Sequence, residues 1–299
     1  VTATSSSNTT INVTGGLSNA TGTGSVLTIT NTDTTNNVIN ASTYAGDLVM
    51  SGRGSTNATT ITGGSGADTI IMKHVSDVLT GGSGTDTLVV TKVATLGGIV
   101  VDLSATSGSE ISLFNGSSTT NVTGFENVDL SGYTGAYGAD ITAASTGSLI
   151  SGTSNADTIT LGAGTDKLFI ETSGQLGTAD TITGFTCHTD KIQVTGALLG
   201  DGNTTVTFTS QAAAAAAALS EVNVFTTALA DNTAVISAIQ TVTSTTPSLF
   251  VVYNTAAGEA QVWYDANANV DGGETLIAHL VGVSAANIAT LTGADFIFV

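Results

Sequence analysis

The sequence predicts a mainly β chain wound as a parallel β-solenoid, with a short helical segment and a β-rich C-terminal part. Three observations predict it. Between Gly63 and Val89 the chain runs through three consecutive nine-residue units, GGSGADTII, MKHVSDVLT and GGSGTDTLV. An Asp recurs at Asp68, Asp77 and Asp86, and an aliphatic follows two places later at Ile70, Leu79 and Leu88, with Ile61 extending that series backwards. The third observation is composition. Gly, Thr, Ser, Asn and Ala dominate, only 9% of residues are charged, and there is one Pro. Such a chain is poor in large core residues, whereas a solenoid needs only a thin inward row from each coil against its neighbours.

Residues 1–62 are polar and alternate over Thr10–Thr14, Ser25–Thr30, Asn37–Asn40 and Asp47–Ser51. They read as an irregular solenoid without recognisable metal turns. Each following nonamer is half a coil: GGxGxD turns, and the next three residues form a strand whose aliphatic points inward. The glycines admit φ > 0 and close backbone approach. They expose carbonyl oxygens, which with the Asp carboxylate are hard ligands suited to Ca²⁺. A full coil takes two nonamers, so Asp68 and Asp86 should stack and share a Ca²⁺, with Gly64, Gly66, Gly82 and Gly84 lining the turns. Asp77, also a candidate ligand, keeps the spacing but falls on the opposite edge, where MKHVSD has lost every glycine and hence the carbonyl cradle. The period returns in GTSNADTIT and LGAGTDKLF, residues 152–169, with Asp157, Asp166, Gly162 and Gly164 as candidate ligands. Metal-free turns held by inward aliphatics are the alternative there.

Residues 90–150 interrupt the period. Gly98–Leu103, Ser109–Phe114 and Asn121–Leu130 read as strands by alternation and β-branching. SGYTGAYGAD, residues 131–140, reads as a Gly/Tyr loop whose rings pack across coils or form a contact surface. SQAAAAAAALSEV is a helix on propensity alone, and ALADNTAVISAIQTV has apolar residues at helical spacing; both would cap the solenoid. Leu249–Tyr253 and Ala260–Tyr264 should pair as a hairpin around NTAAGE, with Leu276–Val281 next. DANANVDGG, residues 265–273, resembles an EF-hand loop, but Val270 occupies the obligatory Gly place and Leu276 the bidentate Glu place. It is taken as a polar turn, with a Ca²⁺ site of another kind as the alternative. The chain thus reads as 1–62 irregular solenoid, 63–209 calcium-binding roll with an insertion at 90–150, and 210–299 capping domain.

GGSGADTII and GGSGTDTLV resemble the nonapeptide repeats of the RTX (repeats-in-toxin) family; it is a linker and the C-terminal part that resemble its S-layer-like bacterial surface proteins. The resemblance implies a right-handed parallel β-roll, secretion by a type I system through an uncleaved C-terminal signal, and folding on external Ca²⁺. ADTITGFTCHTDKIQV, residues 179–194, resembles the segment that closes many such rolls, and implies Asp180 and Asp190 as further ligands. Gly184 replaces an Asp of that segment and His188 replaces a Gly. VTGFENVDLSGYTGA is similar to a linker of RTX-type surface proteins. The part from Leu249 to Val299 resembles their terminal β-rich secretion domain, with DFIFV like the acidic-then-apolar tail of type I signals; an edge strand accounts for it equally well.

With 23 acids against 5 bases, the net charge is −18. That excludes nucleic acid, which needs basic patches, and disfavours anionic lipid. The single cysteine, Cys187, excludes an intramolecular disulfide, so metal is the available staple. No apolar run reaches the length of a membrane helix, and VTATSSSNTT is not a Sec signal. His74, His188 and His279 form no H-E-x-x-H, and no G-x-S-x-G is present. Cys187 and His188 are adjacent, so on a strand they face opposite ways. The expectation is a non-enzymatic, Ca²⁺-dependent surface protein that is secreted and self-assembles into a sheet or filament. Its partners would be itself, the type I secretion machinery and surface polysaccharide. A glycan-binding adhesin, or the secretion and folding module of a larger RTX enzyme, are the alternatives.

Overall fold

Alternation of β-branched and small polar residues favours extended backbone with two unlike faces, and the chain is accordingly mainly β. The computed structural model describes residues 2–3, 10–15, 27–31, 37–52, 57–119, 121–170, 178–199, 205–213, 220–241, 246–267 and 272–299. The chain divides into two units, Val1–Thr153 and Ser154–Val299.

In the first unit, strands β1 (Thr2–Ala3), β2 (Thr10–Gly15), β3 (Leu27–Asn31), β4 (Asn37–Tyr44), β5 (Leu48–Ser51), β6 (Thr59–Thr62), β7 (Thr69–Met72), β8 (Val78–Thr80) and β9 (Thr87–Val90) alternate between two parallel sheets. Odd strands stack in one sheet and even strands in the other, so two strands make one coil. Ile70 lies beside Leu88, and Ile61 beside Leu79, each eighteen residues on. The half-coil reading of the nonamers therefore holds. Ile29, Met50, Ile70, Leu88, Val128 and Ile150 form one continuous inward row through the register of the odd sheet. Ile39, Ile61, Leu79 and Val122 form the other. All ten are at most 1% exposed. This is how a chain with few large residues makes a core: each rung contributes one aliphatic, packed against the rungs on either side.

The segment after β9 leaves the coil as β10 (Lys92–Ala94), β11 (Ile99–Asp102), β12 (Ile111–Phe114) and β13 (Ser117–Ser118), where β11 and β12 pair antiparallel. The winding resumes earlier than expected. Asn121–Leu130 is two strands rather than one, β14 (Val122–Thr123) on β8 and β15 (Asn127–Asp129) on β9. Gly124, at φ +79°, turns the chain between them and does in three residues what GGSGAD does in six. β16 (Tyr133–Gly135), β17 (Ala139–Thr142) and β18 (Leu149–Ser151) complete the unit. Tyr133 is fully buried against Phe114, with ring centroids 6.0 Å apart, and its hydroxyl donates to the Gly97 carbonyl at 2.8 Å. Of the two tyrosines in that segment, Tyr137 is the exposed one.

The second unit opens with β19 (Thr158–Thr160), β20 (Lys167–Ile170), β21 (Asp180–Thr183) and β22 (Lys191–Val194), which pair β19 with β21 and β20 with β22, again in parallel. β23 (Phe208–Gln211), β24 (Val222–Leu229), β25 (Ser248–Asn254), β26 (Glu259–Asp265) and β27 (Thr275–Val281) form a sheet that joins β21 through β27. The expected hairpin is present, with Leu249 opposite Tyr264 and Tyr253 opposite Ala260. Helix α1 (Asn232–Gln240), capped by the Asp231 side chain, lays Val235 and Ile239 on Phe225, Phe250 and Trp263. The alanine run differs from its propensity at both flanks. Ser210 and Gln211 end β23 and Val222 begins β24, because pairing within the sheet overrides local preference; residues 214–219 lie outside the described residues. Helix α2 (Ala285–Ile288) and a 3₁₀ turn (Gly293–Asp295) lead to β28 (Phe296–Phe298), which pairs with β22.

Two glycines separate the cost of backbone conformation from that of crowding. Gly82 has φ +123°, and a Cβ there would lie 2.3 Å from the Gly64 carbonyl oxygen. Gly108 has φ +88° with nothing within 4 Å. Gly108→Ala should cost about 1–2 kcal/mol from its left-handed backbone alone. Gly82→Ala should cost more, because the neighbouring coil must also shift. Chemical denaturation of both variants measures the difference.

Candidate metal centre

One contact recurs through both units: a buried carboxylate accepts the backbone N–H of the equivalent residue one coil earlier. Asp68 Oδ1 accepts from Leu48 at 3.0 Å, Asp86 Oδ1 from Asp68 at 2.8 Å, and Asp77 Oδ1 from Thr59 at 2.8 Å. In the second unit Asp180 Oδ1 accepts from Asp157 at 2.9 Å and Asp190 Oδ1 from Asp166 at 3.0 Å. Asp68, Asp77, Asp86 and Asp190 are at most 2% exposed. Hydrogen bonds to a charged acceptor are about twice as strong as neutral ones, so these carboxylates tie one rung to the next.

The second carboxylate oxygen distinguishes the turns. Asp77 Oδ2 accepts from both Lys73 (3.0 Å) and His74 (2.9 Å), so the glycine-free turn satisfies its acid with its own backbone. Asp68 Oδ2 accepts from Gly64 at 2.6 Å, Asp166 Oδ2 from Gly162 at 2.9 Å and Asp190 Oδ2 from Thr186 at 2.7 Å. Asp86 Oδ2 is buried with no partner. GGSGTD differs from GGSGAD here because Gly82 and Gly84 have φ of +123° and +132°, and Gly82 does not close onto its own Asp. The two turns stack so closely that a Cβ on Gly84 would also lie 2.3 Å from a carbonyl oxygen, that of Gly66.

The structure therefore brings together Asp68 and Asp86 and stacks Gly64 under Gly82 and Gly66 under Gly84. It places Asp77 on the other edge, and it pairs Asp157 with Asp180 and Asp166 with Asp190 in the second unit. Gly162 and Gly164 lie in the turn before Asp166. Among the described residues no three His, Cys, Asp or Glu side chains converge as a metal-binding group. The oxygens at Asp68 and Asp86 are nonetheless hard ones, and one is orphaned, which fits a cation completing its shell from backbone carbonyls or water.

Electrostatics sets these turns apart. Burial, with the Asp68 and Glu126 charges adding, pushes Asp86 up to about 7. Burial pushes Glu110 up to about 7 and, with Asp157 beside it, Asp180 up to about 8. Asp68 and Asp77 are raised for the same first reason. Asp295 is the exception. Thr292 donors and Lys191 outweigh burial and hold it below the usual carboxylate range. Lys191 Nζ lies 3.4 Å and His188 Nδ1 3.2 Å from its carboxylate. The His188 N–H also donates to it at 2.9 Å, and His188 itself has φ +69°. The place where a glycine was expected does need a left-handed backbone, and a histidine held by Asp295 fills it.

Sequence reasoning missed Glu126, Glu110 and Asp47. Glu126 Oε2 accepts the Asp86 N–H at 2.8 Å and so replaces the next Asp of the column; Glu110 accepts from Gly124 and Phe125; Asp47 accepts from Ala67. The forty-residue spacing from Asp86 to Glu126 hides the period. The only available signal was the Asn127–Val128–Asp129 strand after Glu126, which carries the inward aliphatic two places on.

No protein-family model matches the chain, and no curated protein matches it at a significant level.

A carboxylate raised on folding stabilises most below its unfolded pKa and loses that contribution as pH rises through its folded pKa. For Asp86, Glu110 and Asp180 that window runs from about 4 to about 8. Asp295, shifted the other way, acts only at the acid end. In chelator, stability should therefore fall from pH 5 to pH 8, and Asp86→Asn should flatten the fall. Denaturation midpoints across that range test this; stability rising with pH would contradict it.

Proposed function

We propose that the chain is a calcium-dependent structural protein of the bacterial cell exterior, without catalytic activity of its own, that self-assembles into a sheet or filament after secretion. The observation that carries the calcium part is the column Asp68–Asp86–Glu126, its two Asp side chains buried, whose acids meet backbone N–H groups and, among the described residues, form no ion pair, with Asp86 Oδ2 left over. Five basic residues in the whole chain leave an external cation as the neutralising partner. Such a fold waits for the calcium found outside a cell, and one site at a hundredfold above its Kd would add roughly 2.7 kcal/mol.

The outer face of the even sheet supports the assembly part. The aligned rows Thr10–Val38–Thr60–Val78 and Asn12–Asn40–Thr62–Thr80–Thr123 are uncharged. Val38 and Val78 are 36% and 38% exposed. No helix among the described residues is long and apolar enough to cross a membrane. Binding of the type I export machinery and of surface polysaccharide belongs to the same proposal, resting on the resemblance of the nonamers and the C-terminal part.

Electron microscopy at millimolar Ca²⁺ should show ordered sheets or filaments that chelator disperses. Val38→Glu with Val78→Glu should block assembly while keeping calcium-dependent stability. Monodisperse monomers at high protein and Ca²⁺ would overturn the assembly reading.

A further inference from the structure

The connection between β26 and β27 holds a concentration of unsatisfied oxygen. Tyr264 pairs with Thr275, so the next positions outward, Asp265 and Glu274, face each other across the mouth of the hairpin. Asp265 is 1% exposed. Its Oδ1 accepts the Asn267 N–H at 2.8 Å and lies 3.4 Å from where a Cβ on Gly273 would fall, so the carboxylate points across the loop. Its Oδ2, together with Asn267 Oδ1 and Glu274 Oε1, is buried with no hydrogen-bond donor. Seven side-chain atoms among the described residues are orphaned in this way, and three of them fall in this one connection.

Each orphaned acceptor forfeits its bonds to water without replacement, and like charges directly opposite on paired strands repel. The remedy used at Asp295 is missing, since the ion pairs among the described residues involve only Asp295 and Glu259. All three orphans are hard oxygens, two from carboxylates and one from an amide, carried by the two limbs of one hairpin. We propose that Asp265, Asn267 and Glu274 form a second cation site, selective for Ca²⁺ over softer metals, that clamps the β26–β27 hairpin. The objections to an EF-hand, Val270 and Leu276, do not apply, because the two carboxylates face each other at the mouth of the hairpin and the site does not use the twelve-residue loop positions. Calcium accepts six to eight oxygens in flexible geometry, so water and carbonyls can complete the shell. The site is independent of the Asp68–Asp86 turns.

Trp263 is the chain's only tryptophan and stands two residues from Asp265. Terbium, a luminescent calcium surrogate, should emit when the indole of the full chain is excited, and Ca²⁺ should displace it. The emission should be lost in Asp265→Asn and in Glu274→Gln and retained in Asp86→Asn. Unchanged intrinsic Trp263 fluorescence in the variants shows that the hairpin is intact; should Asp265→Asn fail that check, half-buried Glu274 decides. No sensitised emission in the native chain, emission that survives Glu274→Gln, or emission abolished by Asp86→Asn would overturn the proposal.

Discussion

From β5 to β15 and again from β19 to β22, the winding rests on side-chain carboxylates that accept the backbone N–H of the coil before them. That bond fixes the vertical step between rungs, and with it the register of the inward aliphatics. It joins two opposed terms. A hydrogen bond to a charged acceptor contributes about 1.5–3 kcal/mol net, while burial of the charge costs several kcal/mol unless it is paired. Where burial wins, the acid keeps its proton up to the neutral range, as the upward shifts of Asp86, Glu110 and Asp180 express. The glycines follow from the same constraint, because coils close enough for this bond leave no room for a Cβ at Gly64 or Gly82.

The chain meets the cost in three ways. At Asp77 the turn supplies two extra N–H donors and needs no glycine. At Asp295 it supplies an ammonium and an imidazole. At Asp86 and at Asp265 it supplies neither, and an oxygen of each is left without a donor. Our reading is that the acids lacking an internal partner mark where the protein depends on its surroundings. Under the proposed function, that dependence would delay folding until export, where the missing partner is provided.

Much of this was legible from residue spacing. Because the strand period is two and the unit nine, alternate nonamers had to fall on opposite edges, and Asp68, Asp86 and the inward Ile and Leu residues follow. Thr and Asn alternation located β2 to β5 for the same reason. What was hidden depends on conformation or long spacing. Identical GGSG strings differ in φ, which only stacking on their neighbours decides, so the orphaned oxygen of Asp86 has no sequence signature. Glu126 replaces an Asp forty residues on, after the β11–β12 excursion. The alanine run carried a helix propensity that sheet pairing overrides at Ser210 and Val222. The DANANVDGG turn was judged against one loop template, whereas its facing pair, Asp265 and Glu274, is visible only once the hairpin register is known.

The central claim is that these buried acids hold protons until a cation takes their place, and proton release on calcium binding tests it most directly. Calorimetric titration of the full chain with Ca²⁺ at pH 6, in buffers of different ionisation enthalpy, counts the protons displaced. The account predicts net release, smaller in Asp86→Asn and vanishing above about pH 8, the highest of the raised values. Binding without proton release at pH 6, or the absence of any binding, would contradict it.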